Sequence, residues 1–137
     1  SALTKGEIMV NGGEQKRPNI HIDEITDLYL NLLSVPIEKI SGQIFNYGGE
    51  NHTLMELAEL TKSSIGSHVS IVVQPRKPDS RSYHISSEKI KSLLGFSPKK
   101  TIKQAVEDLK KAFENGLIPN PDDSIYSNVK KMKELGF

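Results

Sequence analysis

Apolar positions along this 137-residue chain fall into short β-branched runs and longer helical stripes, separated by glycine and proline punctuation. Glu7-Ile8-Met9-Val10 reads as a short strand ended by the turn signal Asn11-Gly12-Gly13. Asn19 to Ile22 is a second extended piece, after which Asp23 is placed to cap a helix whose Ile25, Leu28, Tyr29, Leu32 and Leu33 share one face. Gln43 to Tyr47 reads as the next strand, closed by Gly48-Gly49. Thr53 with Glu56 forms a capping-box pattern that opens a helix carrying Leu54, Leu57, Ala58 and Ile65 and ending at Gly66.

Downstream, Val69 to Gln74 is an apolar strand, and a helix from about Ser87 carries Ile90, Leu93 and Leu94 inward before Gly95, a suitable left-handed C-cap. A second capping box, Thr101 with Gln104, starts the longest helix, in which Ile102, Ala105, Val106, Leu109 and Phe113 lie together. Pro119 to Ser124 is a linker or turn, and Ile125, Val129, Met132 and Leu135 have the spacing of a final short amphipathic helix. Strands and helices alternate, but the strands are few and short. The expected architecture is therefore α+β, a fragment of an α/β enzyme, with residues 1–137 as one domain.

Charge and composition narrow the partners. Lys plus Arg total 18 against 17 for Asp plus Glu, so the net charge of +1 supplies no general attraction to nucleic acid or to an anionic membrane. The lysines that bunch toward the C-terminus, Lys110-Lys111 and Lys130-Lys131, have acids between them and read as solvated helical faces. The chain contains no cysteine, which excludes disulfides, thiolate metal sites and thiol nucleophiles and fits a cytoplasmic setting. No apolar run approaches the roughly 20 residues that span a bilayer.

Candidate chemistry concentrates in Arg76 to Tyr83, RKPDSRSY, a loop held between an apolar strand and a capped helix. Arginine presents a planar fork suited to phosphate oxygens, and a nearby aspartate accepts hydrogen bonds from sugar hydroxyls. Together they suit a nucleotide or nucleotide sugar. The alternative is that Arg76 or Arg81 simply pairs with Asp79 on a solvated loop.

Three segments, in order, carry a family resemblance. Arg76, Asp79, Tyr83, Ser87, Lys89, then Leu94-Gly95-Phe96 with Pro98, then Thr101, together with Arg17, Ile20, His21, Ile22 and Asp23, and with Asn46, Gly48 and Thr53, resemble the C-terminal part of extended short-chain dehydrogenase/reductases, the NAD-dependent nucleotide-sugar epimerases and dehydratases. The resemblance extends to about Phe113. It implies that Arg17 and Arg76 approach the diphosphate of a nucleotide-sugar substrate, that Asp79 meets the ribose, and that Tyr83 lies close to the substrate pocket. One departure is that Arg17 is followed by Pro18-Asn19, where the epimerase branch commonly has Asp and an aromatic residue.

The same resemblance implies a missing N-terminal Rossmann domain that binds NAD(P), since no glycine triplet here has the dinucleotide-binding spacing. In such enzymes a tyrosinate base and NAD transiently oxidise a sugar hydroxyl. The fragment alone is then not catalytically competent and binds no cofactor itself. The Gln43 to Tyr47 strand joins the absent domain's sheet, so the fragment exposes an edge and an apolar patch, to be covered by a homodimer or by exchange of terminal elements. A non-catalytic interaction or ligand-sensing module built on the same fold is the alternative. Tyr126 with Lys130 matches Tyr-x-x-x-Lys formally but follows the substrate-side segments, so it reads as an anchor for the tail and not as a catalytic pair. His21, His52, His68 and His84 lack zinc-enzyme spacing, and no metal role is assigned.

Overall fold

The computed structural model describes residues 1–75 and 81–137. Along the chain lie α1 (Ala2–Lys5), β1 (Glu7–Asn11), β2 (Lys16–Asn19), α2 (Ile22–Leu32), α3 (Ile37–Ile40), β3 (Glu50–Thr53), α4 (Leu54–Ile65), β4 (Ser70–Gln74), α5 (Glu88–Leu94) and α6 (Ile102–Glu114). A single 3-10 turn (Ser124–Tyr126) and α7 (Asn128–Glu134) follow. Helices and short strands mix in an α+β arrangement, as the apolar pattern indicates.

The strands form two separate two-stranded sheets. β1 runs parallel to β4, with Glu7 opposite Ser70 and Asn11 opposite Gln74. A parallel pair needs a long crossover, and α4 supplies it by packing on the β1–β4 ribbon. β2 runs antiparallel to β3, with Arg17 opposite His52. The apolar core is small: Val10, Leu28, Ala58, Val69 and Ile90 are buried.

The capping boxes form as their spacing dictates. Thr53 Oγ1 accepts from the Glu56 N–H at 3.1 Å while Glu56 Oε2 accepts from the Thr53 N–H at 2.7 Å. The next two orphan donors of α4 find distant partners, Leu54 N–H on the Gln15 carbonyl at 3.1 Å and Met55 N–H on the Gly13 carbonyl at 3.0 Å. At α6 the Thr101–Gln104 box is reinforced by Glu50 of β3, whose Oε2 accepts from the Ile102 N–H at 2.6 Å.

Three expectations need correction. Gln43 to Tyr47 is not a strand: no described strand lies beside it, and its groups bond to helices instead. Lys89 donates to the Ile44 carbonyl at 2.9 Å and sits 5.1 Å from the Phe45 ring centroid, while Ile44 itself is 83% exposed. The second extended piece is β2, earlier than Asn19 to Ile22 and running through Pro18, which a strand in a two-stranded ribbon tolerates. The cap of α2 is His21 and not Asp23, because the His21 Nδ1 accepts from the Asp23 N–H at 3.1 Å while the Asp23 carboxylate is drawn to Lys100.

Gly48 and Gly49 serve close approach, since neither has a positive φ. A Cβ on Gly48 stands 2.6 Å from Ile85 Cδ1, and one on Gly49 stands 3.2 Å from the Asn19 carbonyl oxygen. Gly12 and Gly13, at φ 80° and 130°, do need the left-handed half of the map.

Buried polar groups tie the helices together. His21, whose Nδ1 is the accepting nitrogen, donates through Nε2 to Asp108 Oδ2 of α6 at 3.3 Å. Glu24, 8% exposed, accepts at Oε1 from the Lys99 and Lys100 N–H groups at 2.9 and 2.7 Å, and at Oε2 from the Tyr47 hydroxyl at 3.4 Å. Burial opposes its ionisation most strongly of any single influence, but the two backbone donors, Tyr47 and the nearby His21 together outweigh it and hold the carboxyl below its ordinary 4.5.

Glu24→Ala, which leaves the Lys99 and Lys100 N–H groups and the Tyr47 hydroxyl without their acceptor, is expected to cost about 2 to 3 kcal/mol in urea unfolding. A depressed folded-state pKa contributes stability that is complete above about pH 4.5 and is lost as pH falls through the lower folded value. The stability gap between wild type and Glu24→Gln should therefore narrow from about pH 5 to pH 3; a gap that widens contradicts the assignment. Thr101→Ala should cost about 1 kcal/mol in the same assay.

Candidate ligand-binding site

The C-terminal ends of β1 and β4 lie side by side and lead into a turn and a cavity. After β1 the chain turns through Gly12, whose N–H donates to the Gln74 carbonyl at 2.9 Å, so the turn is bonded to the end of β4. Gln15 is buried under this turn; its Oε1 accepts from the Gly13 N–H at 2.9 Å and its Nε2 donates to the Asn11 carbonyl. The result is a rigid rim. A cavity of about 470 Å³ opens there, lined by Gly12, Glu14, Gln15, Val73, Gln74 and Pro75. Parallel strands commonly present ligands with this edge, where the chain leaves the sheet and backbone donors are free of the ladder.

From Pro75 the chain passes into residues 76–80, and Arg76 and Asp79 lie outside the described residues. It returns at Arg81 alongside β2. Lys16 N–H donates to Ser82 Oγ at 3.0 Å, and Tyr83 N–H donates to the Lys16 carbonyl at 3.4 Å, so the returning segment is stitched to the strand that carries Arg17.

Arg17 is held by three contacts. Its Nη1 donates to the Lys16 carbonyl at 2.8 Å and to the Arg81 carbonyl, and its guanidinium carbon stands 5.3 Å from the centroid of the Tyr83 ring. That stacking is worth about 0.5 to 1 kcal/mol at an exposed position. Only Nη1 is committed to the protein among the described residues. The other guanidinium N–H groups of Arg17 make no hydrogen bond to the described residues. The structure thus brings Arg17 and Tyr83 together from positions far apart in sequence.

Opposite Arg17 on β3, His52 sits between two carboxylates, Nε2 3.7 Å from Glu50 Oε2 and Nδ1 3.8 Å from Glu56 Oε2. Its Nε2 is buried without a hydrogen-bond partner. Backbone and side-chain hydrogen bonds at Thr53 hold the Glu56 carboxyl below its ordinary value. Among the described residues no group of three or more His, Cys, Asp or Glu side chains is disposed to hold a metal ion.

Tyr126 and Lys130 stand apart from this site. Lys130 Nζ donates to the Asp122 carbonyl at 3.1 Å, and Tyr126 is about half exposed in the 3-10 turn. Sequence reasoning passed over Gln15 and Ser82, which hold the rim and the returning segment. The only local signal for Gln15 is its place two residues after a glycine pair, and Ser82 carries none.

No family model and no curated protein matches this sequence. Solved structures do match the fold. L-threonine dehydrogenase from Phytophthora infestans superposes with a TM-score of 0.72 at 13% identity, over 83% of this chain and 38% of that one. UDP-glucose 4-epimerase from Thermotoga maritima, solved with UDP-glucose, gives 0.67 at 24% identity over 85% of this chain and 38% of its own. An NAD-dependent NDP-hexosamine 5,6-dehydratase of tunicamycin biosynthesis gives 0.69 at 17% identity over 83% and 37%. The chain therefore has the fold of one portion of the short-chain dehydrogenase/reductase epimerases, dehydratases and dehydrogenases, and spans about 38% of the length of the first two of these structures.

Proposed function

We propose that this chain is the substrate-binding portion of an NAD(P)-dependent sugar-nucleotide epimerase or dehydratase. The observation that carries the reading is the placement of Arg17: its fork is fixed against the Arg81 carbonyl and the Tyr83 ring, where the chain returns from residues 76–80, and the chain enters those residues from Pro75 on the cavity wall. A guanidinium that commits one nitrogen to the described residues, an aromatic face, and a cavity lined in part by Gln15, two residues before Arg17, suit a nucleotide diphosphate. Arg76 is assigned to the same diphosphate, Asp79 to the ribose and Tyr83 to the edge of the substrate pocket.

In this role the chain binds and orients, and the redox step belongs elsewhere. NAD(P) is assigned to a Rossmann domain in another part of the whole protein, where a tyrosine base and the nicotinamide act on a sugar hydroxyl. Arg17 and Arg76 hold the diphosphate and so fix how far the sugar projects toward that centre. The competing reading is a non-catalytic ligand-sensing or interaction module built on the same fold. A glycine-rich turn and a Tyr-x-x-x-Lys in the remaining polypeptide support the enzyme; their loss supports the module.

With the whole protein and UDP-glucose as probe, Arg17→Ala and Arg76→Ala are each expected to weaken binding by about 1.5 to 3 kcal/mol in calorimetry, the range for a charged hydrogen bond. Tyr83→Ala should cost less, about 0.5 to 1 kcal/mol, through loss of the stacked ring. Unchanged affinity in both arginine variants, with binding present in the wild type, removes the assignment. If the wild type ignores UDP-glucose, the same comparison with a GDP-sugar decides it.

A further inference from the structure

His52 has more acceptors around it than a neutral imidazole can serve. It lies on β3 in register with Arg17 of β2, and its two ring nitrogens face different carboxylates, Nε2 3.7 Å from Glu50 Oε2 and Nδ1 3.8 Å from Glu56 Oε2. Nε2 is buried and has no hydrogen-bond partner among the described residues. A neutral ring carries one N–H and one lone pair. With the proton on Nδ1, the Nε2 lone pair confronts Glu50; with the proton on Nε2, the Nδ1 lone pair confronts Glu56. Only the imidazolium, a donor at both nitrogens, offers each carboxylate an N–H.

Both carboxylates already hold the start of a helix. Glu56 Oε2 accepts from the Thr53 N–H at 2.7 Å where α4 begins, and Glu50 Oε2 accepts from the Ile102 N–H at 2.6 Å in the first turn of α6. α4 and α6 pack on each other, and β3 pairs only with β2 among the described residues. A proton on His52 therefore completes a line of contacts from α4 through β3 to α6. The other charges beside it come from β2: Lys16, in register with Thr53, and Arg17, whose guanidinium is tied to the Arg81 carbonyl and stacked on Tyr83. These two cations oppose the charge that the flanking carboxylates attract. At the start of α6, Lys100 is engaged by Asp23, and Lys103 by Glu107 at 3.9 Å.

We propose that His52 is a proton-operated brace: on taking up a proton it draws Glu50 and Glu56 onto its two ring N–H groups and fastens the ribbon that carries Arg17 to the first turns of α4 and α6. The brace engages as pH falls through the range in which histidine gains its charge, about pH 8 to 5, and it loosens as pH rises. Glu56 stays ionised throughout that range, because hydrogen bonds at Thr53, aided by the charges of His52 and Lys16, hold its carboxyl below the ordinary 4.5. The sign is opposite to that of Glu24, whose contribution is present at neutral pH and lost in acid. The brace needs no ligand and stands apart from the nucleotide-sugar reading.

The test compares urea unfolding of the 137-residue chain with that of His52→Gln from about pH 8 to about pH 5.5. His21, His68 and His84 are common to both, so the difference isolates His52. The stability advantage of the wild type is expected to grow on acidification by about fivefold to tenfold in the unfolding equilibrium constant, the size of two half-exposed ion pairs. Glu50→Gln and Glu56→Gln remove the charges while keeping an acceptor for the Ile102 and Thr53 N–H groups. In a chain carrying both, adding His52→Gln should produce no gap that changes with pH. That doubly substituted chain, compared directly with the wild type, should itself show the same growth, a measurement that decides the matter even where His52→Gln does not fold. A gap that stays flat or shrinks on acidification overturns the proposal, and so does growth that persists once both carboxylates are neutral.

Discussion

Two sheets of two strands each leave most of this chain's connecting backbone without a ladder partner, and buried donors must be satisfied from elsewhere. Three buried polar side chains meet that demand. Gln15 closes the turn after β1, His21 joins the start of α2 to the middle of α6, and Glu24 gathers the N–H groups that lead into α6. With a core of few fully buried apolar residues, these polar clamps set where the helices lie relative to the ribbons. The geometry around Arg17 follows from them, since β2 is held between the Gln15 turn and α2.

Local chemistry was readable wherever cause and effect lie within a few residues. Thr53 with Glu56, Thr101 with Gln104 and Gly95 all act on neighbours, and their helices begin or end where those residues place them. The apolar runs that became β1 and β4 were equally plain. Long-range chemistry was not. Nothing near His21 announces that its ring, instead of the Asp23 carboxylate, caps α2, because the partner that orients it is Asp108. Glu24 looks like an ordinary first-turn acid until Lys99 and Lys100 come beside it. Gln43 to Tyr47 has the composition of a strand but no neighbour to pair with, and pairing is what makes a strand.

The candidate site shows the same division. Residue types in Arg76 to Tyr83 indicated an anion and a sugar hydroxyl, and family resemblance added Arg17 and Tyr83. That Arg17 and Tyr83 stack could be known only once β2 and the returning segment were set side by side through Lys16, Ser82 and Tyr83. The Lys16 and Arg81 carbonyls and the Tyr83 ring restrict the Arg17 guanidinium, and under the proposed function that restriction lowers the ordering cost of binding a diphosphate.

The β1–β4 pairing has a kinetic consequence. Glu7 meets Ser70, so nearly half the chain separates two strands that have no other ladder among the described residues. Closing so large a loop must precede any gain from the pairing, and during synthesis the first strand waits unpaired until β4 has emerged from the ribosome. Over that interval Ile8, Met9 and Val10 form a bare apolar segment with both hydrogen-bonding edges available, the kind of transient species that chaperones shield.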